Sequence, residues 1–330
     1  MSVEIPTLKS AWRSTLGPRA VLAILAVLAL AAIAAFMTLG ANGRWDFLLP
    51  FRGVKLVGML LVAYSVAVST ILFQTVTNNH LLTPSIMGFD ALYGLIQTVM
   101  VFQLGLSFVQ DTDPRLLFMG EVIAMMAFSG LLYRWLFVGK RRSMHLLLLV
   151  GVIVGVLFRS MSGFLQRIID PNEFAILQDR LFASFSIAQT DLLGVSAVLI
   201  GLASIPGWRI LHALDVLALG RDTTISLGVD HTRIVSIILV IVAVMVSVST
   251  ALVGPVTFFG LLVASLAWHL MPSARHVYVL PAAVLIATIC VVGGQVVLER
   301  VLAFDSALSI IIEFVGGLVF IGLILKGVAR

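Results

Sequence analysis

The chain is expected to be all-α and polytopic, crossing a membrane about ten times. Three observations predict this. Of 330 residues, 60% are hydrophobic and only 11% charged, with mean hydropathy +1.13. A soluble domain carries roughly 45–50% apolar and about 25% charged residues, so a soluble fold of this composition could not cover its own surface. The apolar residues also gather into runs of spanning or near-spanning length. Finally, the runs are apolar all round, without the period-two alternation of a barrel strand. Residues 1–330 read as one transmembrane domain, with a short polar-bearing insert at 215–230.

The first run, 20–40, follows Lys9, Arg13 and Arg19. It is too long for the ~7–15-residue apolar core of a signal peptide and reads as a retained span. An external loop, 41–54, carries Arg44 and Arg52 around Pro50, with Lys55 just after it. The second span is 56–76. The chain then returns through T-V-T-N-N-H-L-L-T-P-S-I-M-G-F-D, where Pro84 stops helix continuation and Thr83 or Ser85 can cap the third span, 86–108. Asp90 lies one turn inside, near the inner interface, where a helix N-terminus favours a carboxylate.

The fourth span, 115–138, places Glu121 a turn from the outer end, within reach of solvent. The fifth, 144–158, contains Gly151-x-x-x-Gly155, a close-packing pattern. A long external connection, 159–189, includes Pro171 and an amphipathic piece, F-A-I-L-Q-D-R-L-F, that suits an interfacial helix. The sixth span is 189–205.

Asp215 to Asp230 interrupts the apolar pattern. Val216, Leu217, Leu219, Ile225, Leu227 and Val229 alternate with Asp215, Arg221, Asp222, Thr223, Thr224 and Ser226. Gly220 and Gly228 divide it into short pieces, which read as one or two short helices on which something docks. The seventh span, 232–252, is followed by Gly254-Pro255, expected to start the eighth helix, 257–271, because proline is tolerated in a first turn. Trp268 and His269 read as interface anchors. The ninth and tenth spans are 277–298 and 307–325; Gly293-Gly294 and Gly316-Gly317 mark close contacts, and Glu313 sits deep enough to line a cavity.

Charge bias sets orientation. With the N-terminus inside, 13 of the 21 Lys and Arg residues lie inside, led by the Lys140-Arg141-Arg142 cluster. Both termini and the 215–230 stretch are then cytoplasmic. Cys290 is the single cysteine, so no intrachain disulfide forms. No G-x-x-x-x-G-K-[ST] phosphate loop and no H-E-x-x-H occurs, so neither ATP hydrolysis nor a metal catalyst is expected of this chain.

Three motifs now stand in order. Leu219 to Val229, L-G-R-D-T-T-I-S-L-G-V, resembles the cytoplasmic L-G-x-x-x-A-x-S-L-G-V signature of FecCD/BtuC-type ABC transporter permeases, which import ferric siderophores, haem and cobalamin. Gly254 to Leu262, G-P-V-T-F-F-G-L-L, resembles their G-P-I-x-F-[VI]-G-L, and Asn78 to Gly88 resembles their N-P-L-A-x-P-x-x-L-G. The resemblance spans essentially the whole chain. Ala264-Ser265 and Asn78-Asn79-His80 depart from the usual pattern in the direction of the catecholate-siderophore branch.

The resemblance implies a type II importer permease in the bacterial inner membrane, paired with a second permease chain as a homo- or heterodimer. It implies a cytoplasmic ABC ATPase dimer that binds the ATP, and an extracytoplasmic siderophore-binding protein. The permease itself would carry no cofactor and bind no nucleic acid. Leu219, Gly220, Arg221, Asp222, Ser226, Leu227 and Gly228 carry over as the ATPase-coupling surface. Arg52, Lys55 and Arg300 carry over as the docking residues for acidic groups on the binding protein. The fifth span lines the path in the family, which adds Gly151 and Gly155, with Gly254, Pro255 and Glu313, as candidates for the translocation path. The competing function is an ion-coupled secondary transporter using Asp90, Glu121 and Glu313; it requires ionisable groups that converge at broken helices.

Overall fold

Long apolar runs in lipid must satisfy every backbone group within the segment, and helices do so. A computed structural model describes residues 17–40, 45–137, 144–185, 190–301 and 308–325. Its helices are α1 (Pro18–Thr38), α2 (Trp45–Thr77), α3 (Phe89–Asp111), α4 (Pro114–Phe137), α5 (Met144–Gln166), α6 (Pro171–Leu181) and α7 (Thr190–Arg209). Then follow α8 (Leu211–Leu217), α9 (Arg221–Ser226), α10 (His231–Val253), α11 (Phe259–Leu270), α12 (His276–Arg300) and α13 (Leu308–Leu325). A 3-10 turn at Pro84–Met87 precedes α3. Eight of these helices are long and apolar enough to cross a membrane, and α11 and α13 are shorter apolar helices, so the ten expected segments all have a helix.

The long helices α2 and α10 form the centre and pack on each other; α12 and α11 close against α2, α1 lies along α12, α3 pairs with α5, and α7 covers α10. One core cluster runs from Leu25 and Met59 through Phe259 and Val263 to Ile286 and Val291. A second joins Phe73, Met87 and Phe89 to Leu214, Leu217, Ile238 and Met245. Short α8 is therefore seated on the bundle through Leu214 and Leu217, while its neighbour α9 stays at the surface.

Several boundaries differ from the sequence reading. α2 begins at Trp45 with Pro50 inside it, so most of the supposed 41–54 loop is helix. The fifth span continues to Gln166, eight residues past its expected end at 158. Gly254 and Pro255 do not open a helix: residues 254–258 are a non-helical break, and α11 begins at Phe259. The amphipathic piece after Pro171 is helical as α6, but Leu177 is fully buried and α6 packs on α3, so it serves the protein interior as well as the interface. Its Glu173 accepts the backbone N–H of Leu106 at 3.4 Å, beside the non-helical Gly105 that breaks α3. Lys9, Arg13, Arg44, Lys140, Arg141 and Arg142 lie outside the described residues, as does the chain beyond 325.

Candidate functional site

Three polar regions are set into this apolar frame. The first is the surface made by α8 and α9. Gly220 (φ 93°) and Gly228 (φ 80°) hold backbone conformations that side chains with a Cβ rarely adopt, and so fix the turns on either side of α9. Between and beside them Leu219 (60% exposed), Ile225 (54%) and Leu227 (58%) stand out, interleaved with exposed Arg221, Asp222 and Ser226. Thr224 faces the other way. It is fully buried, and its hydroxyl lies 2.7 Å from the Gly220 carbonyl and 3.1 Å from that of Val216, tying α9 back to α8. Asn78 packs close to Gly220, which brings the 78–80 turn to the same end.

Beneath α8 lies a set of hydrogen bonds, partly to fully buried, that the sequence pattern does not reveal. Asp215 accepts from the backbone N–H of His276 at 2.8 Å and from its ring Nδ1 at 2.6 Å. The His276 Nε2 is 2.8 Å from the Thr75 hydroxyl. Partial burial opposes ionisation of Asp215, but the two bonds from His276 and the nearby Arg275 outweigh it and hold the carboxyl below its usual range. Trp268 donates to Gln74 at 2.9 Å, and Gln74 donates to the His80 carbonyl at 2.6 Å. Trp268 is thus turned into the protein, not outward as an interface anchor. Burial, and then the neighbouring His276, push the His80 imidazole below its usual value.

The second region lies at mid-depth, where irregular backbone meets. Gly151 and Gly155 of α5 leave room for the 3-10 turn: a Cβ on Gly151 would come 2.9 Å from Met87 Cα, and one on Gly155 3.1 Å from Gly88 Cα. Gly155 is eleven residues into α5, about 16 Å along it at 1.5 Å per residue. Asp90 therefore sits well inside the bundle, deeper than the interfacial position expected from sequence. It accepts from the Thr257 hydroxyl at 3.0 Å, within the 254–258 break. The backbone N–H of Thr257 reaches Glu313 of α13. Gly254 (φ 95°) lies against Ala183, and the Ser184 N–H donates to the Val253 carbonyl at 2.8 Å. Behind Asp90 is a cavity of about 20 Å³ lined by Ser69, Thr70, Ser85, Ser249 and Thr250, enough for about one water. Thr257, Phe258 and Arg159 are exposed.

Glu121 does not join this group. It is buried and accepts from Gln97 at 2.7 Å, so it is not a solvated residue at a helix end.

The third region is the opposite end of the bundle. Arg300 is exposed and donates to the Leu39 carbonyl, while Lys55 lies 4.7 Å over the Phe51 ring. Arg52 is not available as a docking residue. It is only 7% exposed, and its guanidinium donates to the carbonyls of Phe36 (2.7 Å), Met37 (3.3 Å) and Leu39 (2.8 Å). The carbonyls of Phe36 and Met37 are orphans of the last turn of α1, and Leu39 is its C-cap residue, so Arg52 caps that helix.

The model of the FecCD transport family matches residues 20–326. The petrobactin import system permease protein YclO of Bacillus subtilis is 45% identical over 284 residues, covering 86% of this chain and 90% of that protein. The petrobactin import system permease protein FatC of Bacillus anthracis is 36% identical over 275 residues, covering 83% and 78% respectively. Among solved structures, one described as an inward-facing conformation of a metal-chelate type ABC transporter superposes with TM-score 0.81 at 21% identity, covering 94% of this chain and all of that one; it shares the fold.

Proposed function

The chain belongs to the FecCD transport family, and from this premise we propose that it is the permease subunit of an ABC importer that carries an iron–siderophore chelate into the cell. The observation that carries the reading is the α8–α9 surface: exposed Leu219, Ile225 and Leu227 among charges, fixed by two glycine turns, at one end of a membrane bundle. Such a surface suits insertion into a groove on a soluble partner. The partner is a cytoplasmic ATPase dimer that binds the ATP; this chain needs no cofactor and performs no hydrolysis. Both termini lie on the ATPase side. At the far end Lys55 and Arg300 receive acidic groups of a siderophore-binding protein. A second permease chain completes the path.

In this mechanism nucleotide-driven closure of the ATPase moves α8 and α9, and the membrane helices reorganise between outward and inward openings. The path runs past the mid-depth break, where Glu313, Thr257, Gly254 and Pro255 lie, with α5 and its Gly151 and Gly155 seating the 3-10 turn beside it. The petrobactin relatives support a siderophore as cargo.

A second reading has one observation in its favour. Asp90 and Glu313 both meet Thr257 at broken helices, an arrangement suited to ion coupling. Uptake in proteoliposomes decides between them. Iron–siderophore uptake that requires the ATPase, the binding protein and ATP supports the importer. Uptake by this chain alone, driven by a proton gradient without nucleotide, overturns it.

A further inference from the structure

We propose that His276 is a positioning residue for coupling: with Asp215 and Thr75 it fastens α8 to α12 and α2 together, so that a displacement of α8 reaches two membrane helices at once. This rests on the permease reading above.

The geometry is that of a joint between elements. α12 begins at His276, and its N-cap residue, Arg275, makes no side-chain bond to the first turn. A helix start leaves orphan N–H groups. Here one of them is satisfied from another element, by the Asp215 carboxylate at 2.8 Å. The same oxygen takes the ring Nδ1 at 2.6 Å, and the other ring nitrogen meets Thr75, in the last turn of α2, at 2.8 Å. His276 is fully buried and Thr75 is 4% exposed. The indole of Trp268, in α11, stands edge-on to the His276 ring at 5.7 Å and is itself held by Gln74 of α2. The ends of α2, α11 and α12 thus converge on one imidazole whose ion-pair partner among the described residues, Asp215, comes from α8.

Apolar packing through Leu214 and Leu217 also seats α8, but such contacts are non-directional. Hydrogen bonds to a charged group are short, directional and stronger than neutral ones. They make α8 and the two helix ends move as a unit. The space for movement is present. An apolar cavity of about 460 Å³ adjoins His276, lined in part by Tyr64, Leu72, Trp208, Leu211, Met245 and Leu280. The cavity is open at Trp208, so the α7–α8 corner borders a surface cleft and not a close-packed interior, which would resist displacement.

The test uses the complete transporter in proteoliposomes: permease, ATPase and binding protein, with ferric petrobactin as probe. The readout is siderophore imported per ATP hydrolysed, together with ATPase binding to the permease. Asp215 is partly exposed, so Asp215→Ala leaves the core packed. It is expected to lower the transport-to-hydrolysis ratio at least about fivefold while ATPase binding stays at the wild-type level. His276→Ala behaves alike, and the double variant falls no further than either single one, because both remove the same link. His276→Gln, which keeps a polar group within reach of Thr75, restores part of the ratio. If His276→Ala does not accumulate, Asp215→Ala and Thr75→Val carry the test. A wild-type ratio in Asp215→Ala overturns the proposal, as does loss of ATPase binding, which would make Asp215 a docking residue. Absence of ATP-dependent uptake in the wild-type complex sinks the importer reading instead, so the two failures are distinct.

Discussion

α1 and α9 both hold large apolar side chains away from the protein, for opposite reasons. On α1, Val27 (65%), Leu28 (50%) and Leu30 (65%) are exposed within a helix of 21 residues whose interior has no charge past Arg19. On and beside α9, Leu219, Ile225 and Leu227 are exposed to similar extents, but on a helix of six residues set between glycine turns and bearing Arg221 and Asp222. Lipid explains the first, since hydrocarbon is the solvent along a spanning length. It does not explain the second, because charges at that spacing would be carried into hydrocarbon with it. Equal exposure therefore fits a lipid face in one place and, on the importer proposal, a docking face in the other. Length and interleaved charge separate the two.

The sharpest way to break this contrast is to place one charge in each region. Val27→Asp on α1 is expected to cost about 3 kcal/mol of insertion free energy, seen as loss of the membrane-integrated protein. Leu227→Asp is expected to leave insertion unchanged but to weaken ATPase binding by about 2 kcal/mol, roughly thirtyfold, measured by co-purification or a binding titration. Equal insertion defects in the two variants would erase the distinction.

A smaller effect tests how α5 differs from both. Gly151→Ala puts a methyl 2.9 Å from the Met87 backbone. It is expected to destabilise by about 1–3 kcal/mol, seen as a lower unfolding midpoint in detergent, whereas Gly163→Ala, in the same helix with open space around it, does not lower the midpoint and raises it slightly. Thr224→Val, on the hidden side of α9, loses a buried hydrogen bond worth about 1 kcal/mol and is expected to weaken ATPase binding less than Leu227→Asp does.

The smallest effect is pH-dependent. The Asp215 carboxyl titrates below its unfolded value of 3.8, so it stabilises the folded protein above that pH, and the contribution is lost as pH falls through the lower folded value. The stability difference between wild type and Asp215→Asn is expected at neutral pH and to vanish in acid below that range, as read from unfolding midpoints.

Much of this was legible in the sequence, because lipid imposes local rules. Each span had to be a long apolar run, and the polar interruption at 215–230 stood out against it. Gly220 and Gly228 marked the turns that do occur. The glycine pair in α5 was recognisable as close packing, although not its partner. What sequence could not carry was depth and pairing. Arg52 looked like an external cation because it sits in a polar-flanked stretch near Pro50; only the return of α1 beside α2 spends it on the carbonyls of Phe36, Met37 and Leu39. Asp90 looked interfacial because it follows a loop, yet the loop enters the bundle. Asp215, His276 and Thr75 lie on three segments far apart in the chain, and no periodicity connects them.

The seat that Gly151 and Gly155 provide for the 83–88 turn also dictates an order of assembly. Sixty-seven residues separate Gly88 from Gly155, and synthesis proceeds at roughly 5–20 residues per second. For several seconds the nascent turn exists with no surface to receive its backbone. The Ile86 and Gly88 amides are bonded locally, to the carbonyls of Thr83 and Ser85, so what α5 adds is close packing against the backbone. The turn can therefore form its own hydrogen bonds early, but its seat is complete only once α5 has been made, when about half of the chain has been synthesised.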